Sequence, residues 1–498
     1  MINTKALREK ILDLAMRGKL VPQNPTDEPA SVLLDKIKEE KEQLIKEKKI
    51  KKEKSLPEIS KEEIPYEIPD SWEWVRIGEV QLVKGGKRVP KGKQLVDYPT
   101  EKVYLRVADM KNGTINTSKL RYATNDIYEA IKNYTISSSD LYLSIAGTIG
   151  KVGSIPTELN DSLLTENAVK IVNFSNLNSK YILYMLQAKV IQEQFNKLYN
   201  QVAQPKLSIR SINQTISPVP PLGEQQRIVA KIEELFALID TIESNQMEFK
   251  QLAGQLDKKI LDLAMRGKLV PQNPTDEPAS VLLDKIKEEK EQLIKEKKIK
   301  KEKPLPEISK EEIPYEVPDS WEWVNLQLIA DYIQRGKSPK YSNIERYPVI
   351  SQKCIQWTGI NMSEVRFIEP STIEKYDDIR IVKKNDILWN STGTGTVGRV
   401  GIVKQDNIDS YEKVVVDSHV TLVRTNRLIN SKYIFLFLSS NLIQKNMDNL
   451  VSGTTKQKEL SLQKILKLNI PLPPLKEQKR IVAKIEMIRE SIQKINFE

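Results

Sequence analysis

Two side chains that often carry out chemistry in enzymes occur only once each in this sequence of 498 residues. Cys354 is the only cysteine and His419 the only histidine. One cysteine cannot close an internal disulfide or supply a thiolate cage for zinc, and any Ser-His-Asp or Cys-His catalytic group would have to use His419. We expect His419 to be a structural or surface residue. These counts leave open a metal nuclease built from Asp, Glu and Lys, because such residues are abundant and their assembly is spatial.

A glycine-rich stretch, GTGTVG at 393–398, fits the dinucleotide-binding pattern G-x-G-x-x-G. That pattern binds a pyrophosphate only where it joins a strand to a helix, yet the residues that follow, RVGIVKQ, are typical of a second strand. The first half of the chain has the related GTIGKVG at 147–153. The shared GTxGxVG therefore predicts a tight β turn rather than a cofactor site.

Other enzyme signatures are missing from the sequence. It contains no G-x-x-x-x-G-K-[ST] loop for a nucleoside triphosphate. Its two Pro-Pro sites read VPPL and LPPL, without the polar residue before and the aromatic residue after that an adenine-amino methyltransferase would present to its base. We therefore expect neither a bound cofactor nor a catalytic residue in this chain.

Two basic, glycine-containing segments are better candidates for contact with a ligand. These basic loops read VKGGKRVPKGKQ at 83–94 and IQRGKSPKYSN at 333–343. Glycine lets the backbone approach a ligand, while Lys and Arg neutralise phosphates or reach the edge of guanine. A weaker pair, the downstream loops, reads NQVAQPKLS at 200–208 and VSGTTKQKELS at 451–461. The predicted DNA contacts are Lys84, Lys87, Arg88, Lys91, Lys93, Lys206, Arg335, Lys337, Lys340, Lys456 and Lys458.

The overall charge agrees with a polyanionic partner, since the formal net charge is +11. For any single lysine, however, a plain solvated loop is the competing interpretation.

The elements that must position these loops occur twice along the chain. Residues 10–75 are matched by 259–324 at a constant offset of 249, with differences only at Ser55/Pro304 and Ile68/Val317. PPLGEQQRIVAKIE from Pro220 returns as PPLKEQKRIVAKIE at 473–486. The predicted organisation is a conserved helical segment at 1–65, a globular domain at 66–219, a central conserved helical region at 220–314, a second globular domain at 315–472, and a conserved helix at 473–498.

The two globular blocks are predicted to be mixed α/β (α+β) domains. Short apolar and β-branched runs alternate in them with Gly, Asn and Ser turns, which is typical of strands. Each block ends in a predicted helix, at 179–195 and at 431–447. We expect Trp72 and Trp74, with their copies Trp321 and Trp323, to anchor the two cores rather than to stack on bases.

A long helix is predicted between the blocks, from Glu224 to Arg266. Its apolar residues recur in steps of four and three, with Gln246 completing the series, which favours a coiled coil over a long buried helix of a globular core. The series is Ile228, Ile232, Leu235, Ile239, Ile242, Phe249, Ala253, Leu256, Ile260 and Leu263. The pattern recurs at the two chain ends, which align as two pieces of one cut helix. These helices predict an antiparallel coiled coil and a pseudo-two-fold, circular arrangement.

The duplicated segment contains one more predicted helix, at 29–54, with a sparse apolar stripe among Lys and Glu. One interpretation is a solvated helix with i,i+4 ion pairs, and the other is a docking arm for a partner. Because the copies are nearly identical in an otherwise asymmetric chain, we favour docking of two identical partners, although recent duplication without a partner is the competing explanation. The predicted partner contacts are Leu33, Ile37, Leu44, Leu282, Ile286 and Leu293.

Membrane insertion is not expected. The N-terminus lacks an apolar signal core, and the longest apolar run, YIFLFL at 433–438, is far shorter than the roughly 20 residues of a membrane span. We expect a soluble cytoplasmic protein.

These motifs together resemble the specificity subunit of type I restriction-modification systems. The resemblance is carried by YEIPDSWEWV and YEVPDSWEWV, GTIGKVG and GTVGRVG, PLPPLKEQKRIVAKI and AMRGKLVPQNPTDEPASVLL, and it covers nearly the whole chain. It implies two target-recognition domains, each reading one half of a split site in double-stranded DNA. It also implies docking of two modification (methyltransferase) subunits, which carry S-adenosylmethionine, and of restriction subunits, which carry the ATP-driven, Mg²⁺-dependent translocase and nuclease.

The resemblance explains the missing catalytic motifs, and it supplies no site residues to carry over. Two rival classes stay open at this point: a self-sufficient enzyme, and a structural coiled-coil adaptor without DNA specificity.

Overall fold

The computed structural model describes residues 2–52, 54–200, 206–299, 301, 303, 305–393, 395–452 and 458–497. Contacts divide the chain into two compact units, Ile2–Gln246 and Met247–Glu498. The boundary falls inside one long helix, Leu222–Met265. The predicted five-segment organisation is a different division, because it is drawn from the repeats, and it stays a prediction.

The first unit begins with two helices, continues through an α/β block, and ends in the first part of the long helix. Its elements are α1 (Thr4–Met16), α2 (Ala30–Lys46), β1 (Glu73–Arg76), α3 (Ile77–Val80), β2 (Leu82–Gly85), β3 (Val103–Leu105), β4 (Met110–Lys111), β5 (Thr114–Ile115), β6 (Arg121–Tyr122), α4 (Asn125–Ile131), β7 (Thr135–Ile136), β8 (Asp140–Ser144), β9 (Val152–Ser154), β10 (Ser162–Leu164), β11 (Ala168–Val172), α5 (Ser179–Gln187), α6 (Lys189–Asn200), α7 (Ile209–Gln214), β12 (Ile216–Val219) and α8 (Leu222–Met265).

The second unit starts with the remainder of α8 and follows the same plan. Its further elements are α9 (Ala279–Lys295), β13 (Glu322–Asn325), α10 (Leu326–Ile329), β14 (Ala330–Arg335), β15 (Tyr341–Ser342), β16 (Pro348–Ile350), β17 (Ile355–Gln356), β18 (Gly359–Ile360), β19 (Arg366–Ile368), β20 (Ile387–Asn390), β21 (Val400–Ile402), β22 (Val415–Val416), β23 (Val420–Thr425), α11 (Ser431–Ser439), α12 (Asn441–Gln444), α13 (Met447–Leu450), β24 (Val451–Ser452), β25 (Glu459–Leu460), α14 (Leu462–Leu466), β26 (Asn469–Leu472) and α15 (Leu475–Phe497).

Each block contains two four-stranded sheets. In the first unit the strand orders are β6-β3-β10-β7 and β2-β11-β8-β9, and in the second they are β15-β19-β16-β22 and β14-β23-β20-β21. The sheets β2-β11-β8-β9 and β14-β23-β20-β21 correspond strand for strand and are antiparallel throughout. The predicted mixed α/β class is therefore confirmed, and the two dissimilar blocks share the plan of this sheet.

A short antiparallel strand pair closes each block where it meets the helices. In the first unit β1 pairs with β12, and in the second β13 pairs with β26. The tryptophans beside these pairs are buried: Trp72 and Trp321 are each 3% exposed. Their indole N–H groups donate to Glu224 at 2.9 Å and to Glu477 at 3.0 Å. The prediction that the tryptophans anchor the cores is confirmed for Trp72 and Trp321, whereas Trp74 and Trp323 are only partly buried.

Helix α8 matches the long helix predicted for Glu224 to Arg266 within two residues at each end. In the first unit its early turns pack against α1 in one apolar cluster that includes Leu12, Met16, Ile228 and Ile232. In the second unit its last turns pack against α15 through a cluster that includes Ile260, Met265, Ile481 and Ile485.

Ion pairs along these helices show the direction of packing within the first unit. Arg8 pairs with Asp240 at 2.6 Å, whereas Asp27, which follows α1, pairs with Arg227 at 2.6 Å. Rising residue numbers in the first segment therefore meet falling numbers in α8, so the two helices are antiparallel within the first unit.

Three predicted helices are divided or end earlier than their sequence patterns suggest. The helix predicted at 431–447 is divided at Ser440, which is extended (ψ 159°) and whose hydroxyl donates to the carbonyl oxygen of Phe437 at 2.7 Å. A serine hydroxyl that bonds the local backbone competes with helix continuation. The matching helix predicted at 179–195 is divided at Ala188 (ψ 146°). Helix α2 ends at Lys46 because Lys48 adopts a left-handed conformation (φ 55°), which terminates helices.

No helix among the described residues is both long enough and apolar enough to cross a membrane.

Candidate nucleic-acid interface

The basic loop of the first unit leaves β2 at a glycine that the fold requires. The N–H of Gly86 donates to the carbonyl oxygen of Ala168 at 3.1 Å. A β-carbon at Gly86 would lie 2.1 Å from the carbonyl oxygen of Thr165, which is closer than real atoms approach. The backbone therefore passes directly over the turn at 164–167, which we call the facing turn. This close approach fixes the start of the loop and the direction of Lys87.

Two predicted DNA contacts of the first unit meet at one residue of this facing turn, Glu166. Arg88 donates to its carboxylate at 2.6 Å, and Lys206 donates to its carbonyl oxygen at 3.4 Å. Lys87 lies beside Arg88 with its ammonium 5.4 Å from the centre of the Tyr134 ring. The basic loop and the downstream loop, which are far apart in sequence, thus meet in space.

The charge state of Glu166 follows from these contacts. Burial raises the pKa of the carboxyl, but hydrogen bonds from Arg88, from the backbone and from Thr165 outweigh burial and hold the pKa below its usual value. The carboxylate is therefore ionised at neutral pH and orients the arginine.

The second unit repeats the same backbone arrangement at its own basic loop. The N–H of Gly336 donates to the carbonyl oxygen of Val420 at 3.0 Å, and a β-carbon there would lie 2.1 Å from the carbonyl oxygen of Val416. Lys337 follows with its ammonium 5.4 Å from the centre of the Tyr376 ring. The second facing turn is therefore 416–419.

Side chains at the next position differ between the units. Where the first unit has the Arg88–Glu166 ion pair, the second has a hydrogen bond of 3.2 Å between the hydroxyls of Ser338 and Ser418. His419, beside this pair, is exposed, and its Nδ1 lies 2.6 Å from the hydroxyl of Thr392. One backbone arrangement therefore displays two different sets of polar groups.

Three predicted contacts of the second unit are engaged within the chain, and one of them is Lys337, which donates to the carbonyl oxygen of Lys375. Arg335 is three-quarters buried, forms an ion pair with Glu459 and donates to the carbonyl oxygen of Leu460. Lys458 forms an ion pair with Asp448. The basic loop and the downstream loop thus also meet in this unit, with Arg335 joining them, and Lys456 lies outside the described residues.

The remaining predicted contacts are exposed, but they occupy different surroundings. Lys84 is on β2 opposite Lys170, and Lys93 forms an ion pair of 2.6 Å with Asp126, whose pKa it helps to lower to about 2. Lys91 and Lys340 are exposed loop residues.

The GTxGxVG segments form the third loop at each convergence, and we call them glycine hairpins. They join β8 to β9 and β20 to β21, which are antiparallel neighbours, so the predicted tight β turn is confirmed. Left-handed glycines make the turns, including Gly150 (φ 82°) and Gly398 (φ 91°). Isolated bridges, Ala146 to Lys206 and Thr392 to Glu459, connect each hairpin to its downstream loop.

A glutamine supports the hairpin turn in both units. Gln192 donates to the carbonyl oxygens of Gly150 at 3.1 Å and Leu186 at 2.6 Å. Gln444 makes the matching bonds to Gly398 at 3.0 Å and Leu438 at 2.8 Å. We call the surface formed by the described residues of the basic loop, the facing turn, the glycine hairpin and the downstream loop the recognition face.

Sequence reasoning missed the residues of the facing turns. Glu166 and Ser418 follow their basic loops by about eighty residues, and neither belongs to a motif. The only signal available was the loop composition, which does not show what the loop packs against.

The predicted partner contacts require a correction. Leu33 and Ile37 on α2, with their copies Leu282 and Ile286 on α9, are at most 9% exposed and belong to the cores of their own units. The stripe is filled by the chain itself, so these four side chains are not available to a docked protein. Leu44 and Leu293 are only partly buried.

In each copy of this helix, an exposed valine directly precedes the first buried leucine of the stripe. Val32 is 38% exposed and its copy Val281 is 39% exposed. The opposite side of the duplicated helix is thus the one that faces outward in both units.

Across the described ranges, no group of three or more His, Cys, Asp or Glu side chains is placed to hold a metal ion. Cys354 is buried, and burial raises the pKa of its thiol, which opposes thiolate chemistry.

Comparison with known proteins identifies the family. The model of the type I restriction modification DNA specificity domain matches residues 69–250 and 318–496. The chain is 30% identical to the type I restriction enzyme EcoAI specificity subunit of Escherichia coli, over 99% of this chain and 90% of that protein. It is 31% identical to the EcoEI specificity subunit of Escherichia coli, over 97% of this chain and 88% of that protein.

A solved structure shows the same fold. A chain from a study of complex assembly and conformational transition of the type I R-M system aligns with a TM-score of 0.55 at 18% identity, over 86% of this chain and 93% of that chain. With both segments of the family model matched and two relatives aligned over nearly their whole lengths, the chain belongs to the type I restriction-modification specificity subunits, the non-catalytic DNA-recognition components of their complexes.

Proposed function

We propose that the chain reads an asymmetric, bipartite site in double-stranded DNA, with each block acting as a target-recognition domain for one half-site. The observation that carries this proposal is the recognition face, which is built on the same backbone in both units but displays Arg88 and Glu166 in one and Ser338 and Ser418 in the other. Two identical faces would favour a palindrome. Two different faces on one plan favour two different half-sites.

The chemistry of the face suits duplex DNA. It combines lysines for the phosphates with side chains that can meet base edges, and these are the two classes of contact that protein–DNA interfaces use. The glycines bring backbone N–H groups and turns close to the surface without side chains in the way.

We further propose that the duplicated segment receives the same partner twice. The partners would be two modification subunits, which carry S-adenosylmethionine, joined by restriction subunits, which carry ATP and Mg²⁺. Support comes from the near identity of α2 and α9 and from the exposed Val32 and Val281, which present the same feature in each unit. Ion pairs of 2.7 Å between Lys36 and Glu28 and of 2.6 Å between Lys285 and Glu277 surround these helices and agree equally with the alternative of solvated helices.

The first test is single-molecule sequencing of genomic methyladenine in the host, with this gene intact and with it deleted. We expect methylation at one asymmetric, gapped motif to disappear on deletion and to return when the gene is restored on a plasmid. An unchanged methylome, with the modification subunit shown to be expressed, would contradict the proposal and favour the structural adaptor.

A second test separates docking from DNA reading. Val32→Asp and Val281→Asp are exposed changes that place a charge on the proposed docking side, with Lys38→Ala as a control on the same helix. We expect the aspartate variants to lose co-purification with the modification subunit. Retained co-purification by the double variant would remove this side of the helix from the interface.

A further inference from the structure

The two recognition faces share the backbone geometry at one glycine and a lysine at the next position. In both, the glycine N–H bonds the first residue of the neighbouring strand, at 3.1 Å for Gly86 and 3.0 Å for Gly336. The next residue is a lysine whose ammonium lies 5.4 Å from the centre of a tyrosine ring, Tyr134 or Tyr376. A ring face attracts the ammonium without using its hydrogen-bond donors. Lys337 also donates to the carbonyl oxygen of Lys375. Because an ammonium has three donors, Lys87 and Lys337 both keep donors for another acceptor.

The position after each lysine is where the faces diverge. Arg88 is 79% exposed, yet its Nε is bonded to Glu166 at 2.6 Å. Within the described part of the chain, its terminal nitrogens Nη1 and Nη2 make no hydrogen bond that meets the usual geometry. A guanidinium fixed at Nε presents those two nitrogens as a planar fork, which matches O6 and N7 of guanine.

Glu166 is itself held in place, which distinguishes this pair from an ordinary surface ion pair. Its side chain is 23% exposed, and its second carboxylate oxygen accepts from the hydroxyl of Thr165 at 3.1 Å. The Tyr104 hydroxyl donates to the carbonyl oxygen of Lys87 at 2.8 Å, and its oxygen lies 3.4 Å from the same carboxylate oxygen. The carboxylate is therefore a fixed support for Arg88.

The second face has no such fork at this position. The Ser338 hydroxyl donates to that of Ser418, so its hydrogen is used and the pair cannot supply the two donors that O6 and N7 of guanine accept. The residues at this position therefore differ in chemistry between the two recognition faces.

We infer that Arg88, supported by Glu166, reads a guanine in the half-site of the first domain, whereas Lys87 and Lys337 anchor both domains to phosphates without reading sequence. This inference rests on the proposed function and names its specificity-determining residue. Ser338 and Ser418 occupy the corresponding place in the second domain and give a weaker base preference.

The test uses the full chain with its modification subunit in a host free of other adenine methylation. Genomic methyladenine sequencing of the wild type, Arg88→Ala, Arg88→Lys, Glu166→Ala and Ser338→Ala gives the base preference at each position of both half-sites. Purified complexes are then titrated with duplexes in which that guanine pair is replaced by each other pair. Hydrogen exchange of the complexes checks that each variant is folded.

We expect Arg88→Ala to lose roughly 10- to 100-fold of discrimination at a single guanine of one half-site, since a bidentate contact contributes that order of selectivity. Arg88→Lys should not restore it, because an ammonium lacks the planar fork. Glu166→Ala should leave Arg88 charged but unsupported, so binding persists with weaker discrimination. Ser338→Ala should affect the other half-site only.

Different failures have different meanings. A wild-type methylome with no bipartite motif would overturn both the proposed function and this inference. A bipartite wild-type motif that Arg88→Ala leaves unchanged, or weakens alike for every base, would overturn the inference alone.

The anchoring role has its own measurement. Lys87→Ala and Lys337→Ala should each weaken binding to all duplexes alike and reduce the slope of log affinity against log salt by about one. A change in base preference in either lysine variant, or an unchanged slope, would contradict the proposed division of roles.

Discussion

In each unit the helices and the short strand pair (β1–β12 or β13–β26) hold the domain, and we call them the frame. The two frames are far more alike than the two recognition faces. In the frame, Trp72 donates to Glu224 and Trp321 donates to Glu477, and even the supporting glutamines match, with Gln23 and Gln272 each 2.6 Å from the carboxylate. On the recognition face an ion pair in one unit is replaced by a pair of hydroxyls in the other. Sequence divergence therefore changes the side chains on the recognition face, while the backbone that carries them is kept.

We expect the largest loss of stability from substitutions that disturb the backbone geometry shared by the two recognition faces. Gly86→Ala and Gly336→Ala each place a β-carbon 2.1 Å from a carbonyl oxygen, so the facing turn must move. We expect each to cost about 2–3 kcal/mol of the free energy of unfolding of its own unit. Urea titration followed by hydrogen exchange, read separately for peptides of each unit, measures this. Gly254→Ala is the control, because nothing lies within 4 Å of its β-carbon.

The matched buried contacts of the frame should respond equally in the two units. Trp72→Phe and Trp321→Phe remove the indole donor and leave a buried carboxylate oxygen with one partner fewer. An unpaired buried acceptor costs about 1–3 kcal/mol, so we expect a loss of that order in each unit. The same hydrogen-exchange measurement applies. Losses that differ by more than the experimental error would show that the two frames are not energetically equivalent.

The pH dependence of the frame follows from the same carboxylates. Burial raises the pKa of Glu224 and of Glu477 above the usual value, and the indole and glutamine donors only partly offset it. A carboxyl whose pKa is raised by folding contributes stability below the unfolded pKa of about 4.5 and loses it as the pH rises through the folded pKa. Relative to wild type, Glu224→Gln and Glu477→Gln should therefore gain stability across that window. A difference that is flat with pH would contradict the assigned pKa direction.

The sequence predicted the frame well because its signals are local or repeated. The steps of four and three gave α8 to within two residues at each end, and the strand–glycine–strand pattern gave the hairpins. The tryptophans were placed in the core because they stand at the start of each block. These features depend on residues close together in the chain, where periodicity is informative.

For the recognition face, the sequence predicted only that its loops are basic. Lys87 and Arg88 were singled out by the basic loop, but Glu166 is contributed by a turn between two distant strands. Arg335 also lies in a basic loop and was therefore predicted to contact DNA, but it pairs with Glu459. Leu33 was assigned to a partner because an apolar stripe does not reveal what covers it. Each miss concerns a tertiary contact, which no single-sequence pattern encodes.

We expect the smallest change in stability at a helix contact of the frame that differs between the two units. By the repeat offsets, Arg8 of α1 corresponds to Asp257, and Phe236 of α8 corresponds to Arg489 of α15. The first unit stacks Arg8 on Phe236 at 4.9 Å, and the second pairs Arg489 with Asp257 at 2.6 Å. The arginine thus comes from opposite helices in the two units.

These partly exposed contacts should each contribute about 0.2–1 kcal/mol. We expect Arg489→Ala to cost that little, Asp257→Arg to cost more because it places two cations together, and the double variant Asp257→Arg with Arg489→Asp to recover most of the loss. A double-mutant cycle at low and at high salt measures the coupling, which should shrink as salt screens it. If the charge-exchanged variant stays as unstable as Asp257→Arg alone, the position is set by packing of the arginine stem rather than by charge.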